Sequence, residues 1–277
     1  MKFYALALMG GLCIFPAACV AARNTLETIP ARRHKVHVSP LVWKTLGMLQ
    51  RRGKTLHNFS ADLLLTTSHP RTGETDENTG RVWYMKRGKI IRFAIHFDKL
   101  IVDGSVAQAH ARHDIVFDGR WLVDRDARAK IFRKTELVPP GKVYNPLKLG
   151  QGPVPVPIGQ NRNKVLHDFQ VTVAALPKGK RGRGALAGPN LAPSHTVCLR
   201  LVPKIRNVYR FKRLDVFINT KLQLPVEVVR TGVDGSTSTA ALTHPKINRG
   251  VPNIFSMKTP SGSSGWTVQI QPWRGRR

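Results

Sequence analysis

The spacing of hydrophobic residues changes along the chain, and each spacing predicts one kind of secondary structure. Residues 3–15 form an unbroken apolar run. From residue 40 to residue 51 apolar side chains recur every three or four positions, directly after Ser39 and Pro40, which is the pattern of an amphipathic helix and its start. Gly53 predicts the end of that helix. Beyond residue 57 the spacing becomes two, which predicts β-strands with one apolar face.

Residues 90–97 show the alternation most clearly, because Ile91, Phe93 and Ile95 share one face while polar and small side chains occupy the other. Strands of this kind are half-buried and antiparallel. Asp118-Gly119 lies between two such runs, which indicates a hairpin. A second, short helix is predicted over 160–168, and the strands are predicted over 57–67, 80–87, 89–97, 113–118, 120–126, 129–136, 169–175, 196–202, 211–219, 224–231, 237–243 and 265–271.

The first 22 residues are typical of a secretory signal peptide. Lys2 precedes the apolar run, Pro16 ends it, and small residues lead to a cleavage site after Ala22. The run is shorter than the ~20 residues that a membrane-spanning helix needs. The sequence therefore predicts an exported protein of the periplasm or cell envelope. A retained membrane anchor and lipid attachment at Cys19 are the alternatives.

The mature chain is expected to be one domain without disulfides. Cys198 is its single cysteine, because the other two precede the cleavage site. A core must then hold the fold together. The predicted division is a flexible basic segment over 23–38, the domain over 39–271 and a basic tail over 272–277. Residues 177–194, in which lysines and arginines stand among glycines, are predicted to form a disordered basic insertion in that domain.

The chain is strongly basic, with 45 lysine and arginine residues against 16 acidic residues and a formal charge of +29. Such a surface attracts polyanions, whether nucleic acid, anionic lipid headgroups or acidic polysaccharide. A compositional bias of the source proteome would give the same excess. Export argues against nucleic acid as the partner. The candidate residues for a basic surface are Lys178, Lys180, Arg181, Arg183, Arg206 and Arg210.

Two patterns contain residue types that catalysis or metal binding requires. His110 and His113 precede Asp114, but their spacing in a loop that leads into a strand does not place both histidines on one face. Six aspartates between residues 98 and 126 alternate with arginines, which favours cross-strand ion pairs over acid–base catalysis. We therefore expect no enzyme, no metal and no cofactor. A hydrolase that uses two of these carboxylates in one cleft is the alternative.

Several short segments follow one another in a recognisable order over residues 40–258. After the first helix come Gly80-Arg81-Val82-Trp83-Tyr84-Met85-Lys86, Phe117-Asp118-Gly119-Arg120-Trp121-Leu122-Val123-Asp124, Leu199-Arg200-Leu201-Val202-Pro203, Leu224-Pro225-Val226-Glu227 and Ile247-Asn248-Arg249-Gly250-Val251-Pro252. This ordered series resembles the LolA-like outer-membrane lipoprotein-sorting superfamily, which includes periplasmic lipoprotein carriers. The high charge and the basic insertion mark the chain as a divergent member.

The resemblance implies a mainly β (α+β) fold. A single curved antiparallel sheet would form an incomplete β-barrel, with an N-terminal helix and short helices across the open face. In that superfamily the concave apolar face holds acyl chains of lipids or lipoproteins. The residues that would line it here are Trp83, Met85, Ile91, Phe93, Ile95, Phe117, Leu199, Leu201, Val216 and Ile218.

The function implied by the resemblance is that of a monomeric, non-enzymatic carrier in the cell envelope. Lipid or lipoprotein acyl chains would be its partners, and its basic surface would meet anionic headgroups, a membrane or an acidic envelope polymer. The alternative is a closed core that its own apolar side chains fill. The protein would then be a structural or interaction module that binds polyanions through its surface.

Overall fold

The computed structural model describes residues 38–107, 112–139, 141–144, 149, 158–176, 193–205, 209 and 211–273. The chain divides into two units, Met1–His37 and Val38–Arg277, and every described residue belongs to the second unit. The predicted signal peptide, the basic insertion up to residue 192 and residues 274–277 lie outside the described part.

Two α-helices occur in the described part. Helix α1 (Pro40–Thr55) begins directly after Ser39, as predicted. The prediction that Gly53 ends it is wrong, because Gly53 is buried against the backbone of Gly159 and the helix continues past it. Helix α2 (Arg162–Asp168) begins at Asn161, whose side chain accepts hydrogen bonds from two backbone N–H groups of the first turn. Neither helix is long and apolar enough to cross a membrane.

Within the described ranges the strands form one sheet of 13 strands. All of the predicted strands are present, and β4 is an additional short strand that the sequence pattern did not indicate. The bounds are β1 (Asn58–Ser68), β2 (Thr75–Arg87), β3 (Ile90–Val102), β4 (Ser105–Ala107), β5 (His113–Phe117), β6 (Trp121–Asp126), β7 (Ile131–Glu136), β8 (Phe169–Ala174), β9 (Thr196–Pro203), β10 (Phe211–Asn219), β11 (Leu224–Gly232), β12 (Thr237–Ile247) and β13 (Thr267–Gln271).

The sheet joins two meanders. Its strand order is β13-β7-β6-β5-β3-β2-β1-β12-β11-β10-β9-β8, with β4 paired to β3. The first meander runs from β1 to β7 and the second from β8 to β12, and they meet where β1 pairs with β12. Strands β13 and β8 are the two edges of the sheet, so the predicted open sheet is confirmed.

The prediction of a purely antiparallel sheet is wrong for one pair, because β13 runs parallel to β7. After β12 the chain crosses one face of the sheet before it reaches the far edge. A tight hairpin after β7 would give an antiparallel neighbour. Because β13 arrives by this long crossing instead, it can run in the same direction as β7.

The two faces of the sheet are covered by different parts of the chain. On the face that carries Phe93 and Leu199, which we call the inner face, helix α1 buries Val42, Leu46 and Leu49 against strands β9 and β10. On the opposite face, which we call the outer face, the connection from β12 to β13 packs its apolar side chains. These are Val251, Ile254, Phe255, Met257 and Trp266, which lie against Ala94, Val116, Val123 and Phe132.

Candidate functional site

The ten apolar residues predicted to line one cavity do not share a face. Strand pairing sets Trp83 opposite Ala94 and sets Tyr84 opposite Phe93. Since alternate residues of a strand point to opposite faces, Trp83 and Met85 lie on the outer face, where both pack in the cluster around Ala94. This corrects the predicted placement of these two residues. The other eight lie on the inner face.

Four of those eight residues are enclosed by the helices. Leu199, Leu201, Val216 and Ile218 are each fully buried in a cluster that includes the apolar side of α1 and Val165 of α2. This half of the inner face is therefore filled by the side chains of the protein itself.

The other half of the inner face has a buried floor and a partly exposed surface. Phe93, Ile95 and Phe117 are almost fully buried, and the rings of Phe93 and Phe117 stack with their centroids 5.8 Å apart. Around this floor lie apolar side chains that keep part of their surface accessible. They come from strands β12, β1, β2, β5 and β6 and are Ala240, Leu242, Leu65, Val82, Ile115 and Leu122.

These side chains form one continuous surface because their strands are neighbours. Leu65 of β1 lies opposite Ala240 of β12, and Ala61 of β1 lies opposite Val82 of β2. Val82 in turn lies opposite Ile95 of β3, Ile95 opposite Ile115 of β5, and Phe117 of β5 opposite Leu122 of β6. We call this the six-strand apolar surface. Leu137 and Tyr144, from the segment after β7, pack against the same cluster, and the Tyr144 ring lies edge-on to Phe117 with the ring centroids 5.8 Å apart.

Among the six aspartates that sequence analysis singled out, Asp114 and Asp124 form ion pairs with described residues, on opposite faces of the sheet. On the outer face the Asp114 side chain is fully buried, 2.8 Å from Arg112 Nε and 2.9 Å from Arg125 Nη1. The prediction of ion pairs holds for this residue, and its carboxylate is buried, whereas the Arg112 side chain is 51% exposed and that of Arg125 is 28% exposed. Such a paired carboxylate contributes to the packing of the outer face and is unsuited to acid–base work.

On the inner face His113 and Asp124 form a second pair, with 2.6 Å between His113 Nε2 and Asp124 Oδ1. Burial lowers the pKa of His113, but the hydrogen bond and the negative charge of Asp124 outweigh it and hold that pKa above its ordinary value. Because Asp114 and Asp124 lie on opposite faces, these two carboxylates do not share a cleft. Within the described ranges no group of three or more metal-binding side chains occurs, and His110 lies outside them.

Sequence analysis missed one ionisable group in the core. Glu227 lies on the outer face of β11, between Phe217 and Ala241, with 1% of its surface exposed. Neither carboxyl oxygen has a hydrogen-bond partner among the described residues. Burial raises the pKa of Glu227 to about 7. An isolated carboxylate within the apolar run 224–229 was the signal that could have identified it.

Cys198 lies near Glu227, on the same face of β9. The thiol is 2% exposed, and burial together with the charge of Asp215 raises its pKa to about 12. A thiol in this state is a packing residue and not a nucleophile.

Six basic residues were predicted to form a basic surface. Lys178, Lys180, Arg181, Arg183, Arg206 and Arg210 all lie outside the described residues.

Neither a protein-family model nor a curated protein matches the chain. Several solved structures are similar to the chain at low sequence identity. An uncharacterized conserved protein from Thermus thermophilus has 11% identity and a TM-score of 0.44, over 84% of this chain and 99% of that one. The MucA/MucB complex of Pseudomonas aeruginosa has 12% identity and a TM-score of 0.42, over 76% of this chain and 59% of that one.

A LolA superfamily protein from Nitrosomonas europaea is also similar, with 11% identity and a TM-score of 0.33, over 78% of this chain and 97% of that one.

Proposed function

We propose that this protein is a non-enzymatic protein of the cell envelope that binds acyl chains of lipids or lipoproteins on the six-strand apolar surface. The observation that carries the proposal is that this surface stays partly exposed while the neighbouring half of the same face is closed by helices. Contiguous exposed apolar surface on a soluble protein is typical of a binding site.

The dimensions of the surface suit an acyl chain. Six strands spaced by about 4.8 Å extend over about 24 Å. One acyl chain spans half of a bilayer core that is about 30 Å thick. Each buried methylene group contributes about 0.8 kcal/mol. The buried Phe93 and Phe117 support the partly exposed side chains from below.

The charge of the protein suits the other end of such a ligand. With a formal charge of +29, the protein attracts anionic headgroups and anionic membrane surfaces. This attraction weakens as salt concentration rises. Acyl-chain binding on an apolar surface has no such dependence, so the two contributions are separable by measurement.

Replacement of Leu65 by serine should weaken acyl-chain binding about 10- to 100-fold, because a leucine contact contributes about 1.5–3 kcal/mol. Leu64 is the matched control, since it is the adjacent leucine, is half-buried like Leu65 and points to the opposite face. The Leu64→Ser variant should bind as the wild type does. The measurement is a titration with a fluorescent fatty acid, accompanied by native mass spectrometry of protein purified from membranes to detect retained lipid.

Two results would contradict the proposal. One is equal weakening by Leu64→Ser and Leu65→Ser, which would mean that the substitutions act through stability alone. The other is binding of an anionic polymer that falls steeply with salt, with no lipid retained at any salt concentration, which is the behaviour of a polyanion-binding module.

A further inference from the structure

A pocket of about 330 Å³ opens on the outer face, away from the six-strand apolar surface. Three parts of the chain form it: the start of β3, the turn between β5 and β6, and the connection from β12 to β13. Its volume is in the range of small-molecule sites, which begin at about 300 Å³. The lining residues are Arg92, Asp118, Arg120, Trp121, Asn253, Phe255 and Ser256.

Arg92 is the unpaired cation of this pocket. Its side chain is half-buried, and its guanidinium group makes no hydrogen bond or ion pair with any described residue. A guanidinium group presents several N–H donors in a fixed plane, which matches the oxygens of a carboxylate or phosphate group. Arg92 therefore offers a binding group for an anion without first having to break a contact with any residue that the structure describes.

The second guanidinium group of the pocket belongs to Arg120, and contacts within the protein hold it in position. Arg120 Nε donates a hydrogen bond to Glu136, whose other oxygen accepts the backbone N–H of Trp273 at 2.8 Å. Asp118 Oδ1 accepts the backbone N–H groups of Arg120 and Trp121, at 2.8 Å and 2.7 Å, which fixes the turn. Both carboxylates near the pocket are thus engaged with the protein itself.

The charges and walls of the pocket favour an anionic ligand with an apolar part. Lys134 Nζ lies 5.0 Å from the centre of the Trp121 ring, so Arg92, Arg120 and Lys134 together exceed Asp118 and Glu136 in charge. The indole ring of Trp121 and the buried ring of Phe255 supply apolar walls. Apolar walls exclude water and so lower the local dielectric constant, which strengthens an ionic contact between the ligand and the arginines.

We propose that this pocket binds a carboxylate- or phosphate-bearing ligand, with Arg92 as its main anion contact. Arg120 is the second contact, and Asn253 and Ser256, which also line the pocket, carry donors for the remaining oxygens. The ligand reaches the pocket either as a free small anion or as the headgroup of a lipid. This site is independent of acyl-chain binding, because it lies on the other face of the sheet.

The test compares two substitutions that remove the same charge. Arg92→Ala removes the proposed contact, and Arg128→Ala removes an exposed arginine in the turn between β6 and β7, at the other end of strand β6. Inorganic phosphate is titrated by calorimetry, and vesicles of phosphatidylglycerol or phosphatidylcholine are tested by sedimentation. Arg92→Ala should weaken binding at least tenfold, Arg92→Lys should weaken it less, and Arg128→Ala should leave it unchanged.

The phosphate titration and the vesicle sedimentation distinguish a free small anion from a lipid headgroup. Arg92-dependent binding of inorganic phosphate supports a free anion, and Arg92-dependent binding of phosphatidylglycerol vesicles alone supports a headgroup. The thermal midpoint of Arg92→Ala should match that of the wild type, because Arg92 has no partner in the described structure to lose. Equal weakening by Arg92→Ala and Arg128→Ala, or the absence of Arg92-dependent binding to both inorganic phosphate and phosphatidylglycerol vesicles, would overturn the proposal.

Discussion

Replacement of Gly53 by alanine should lower the free energy of unfolding by about 3 kcal/mol, although alanine is the better helix former. The Cβ atom added at residue 53 would lie 2.1 Å from Gly159 Cα and 2.6 Å from Gly159 N. These are backbone atoms, and the Gly159 N–H donates a hydrogen bond to Leu49 O at 3.1 Å. The end of α1 would have to move away from the segment before α2, and the inner-face packing would loosen.

Gly47 provides the control for this prediction, since it lies in the same helix. A Cβ atom at residue 47 would meet only the guanidinium ends of Arg162, at 3.0 Å, and Arg51, at 3.5 Å, and both side chains can move. Gly47→Ala should therefore leave stability unchanged or raise it by up to about 1 kcal/mol. Urea unfolding followed by circular dichroism measures both changes. If the two variants lost equal stability, the close contact at Gly53 would not be the cause.

Glu227 should make the protein less stable as the pH rises from about 4.5 to about 7. Burial raises its pKa from an ordinary value of 4.5 to about 7, so in this range the folded state binds more protons than the unfolded state. Under that condition the free energy of unfolding falls with rising pH. The full loss corresponds to about 3 kcal/mol and is complete above pH 7.

The substitution Glu227→Gln removes the titrating group and keeps its shape. The free energy of unfolding of this variant, relative to the wild type, should increase by about 3 kcal/mol between pH 4.5 and pH 8. Urea unfolding of both proteins across this range measures the difference. Glu77→Gln is a control for loss of charge on a half-buried strand residue of the same sheet. A difference for Glu227→Gln that stays constant with pH would show that the carboxyl group is not buried as described.

The sequence predicted the strands well because most of them alternate between polar and apolar residues. In β3 the alternation alone assigns Ile91 and Phe93 to one face and Arg92 to the other. In β2 the run Val82-Trp83-Tyr84-Met85 is apolar or aromatic at every position, so no face can be deduced from it. Only the pairing with β3 shows that Trp83 and Met85 belong to the outer face.

The extent of β12 could not be predicted for a different reason. Pro245 cannot donate a hydrogen bond to a neighbouring strand, which suggests that a strand ends before it. The structure accommodates it where the register between β1 and β12 shifts, between Ser60 and Asp62, and the strand continues to Ile247. Irregularities of this type depend on the partner strand and leave no local pattern.

The candidate sites themselves depend on contacts between distant segments. The six-strand apolar surface exists because β12 lies beside β1, and the outer pocket exists because the connection from β12 to β13 crosses the face that carries Arg92. Each contributing residue is visible in the sequence as an apolar or basic position. Which of them meet follows only from the strand order, for which local periodicity contains no information.

The β1–β12 junction also dictates the order in which the protein can fold. Thr67 and Ser238, whose hydroxyl groups lie 3.4 Å apart across this junction, are separated by 171 residues. Each meander can form from contacts between successive strands, but bringing the two together closes a long loop, which is slow. Until β12 is available, β1 presents the unpaired edge of the first meander, and such edges recruit other strands. A chain that stops before β12 is therefore expected to aggregate through β1.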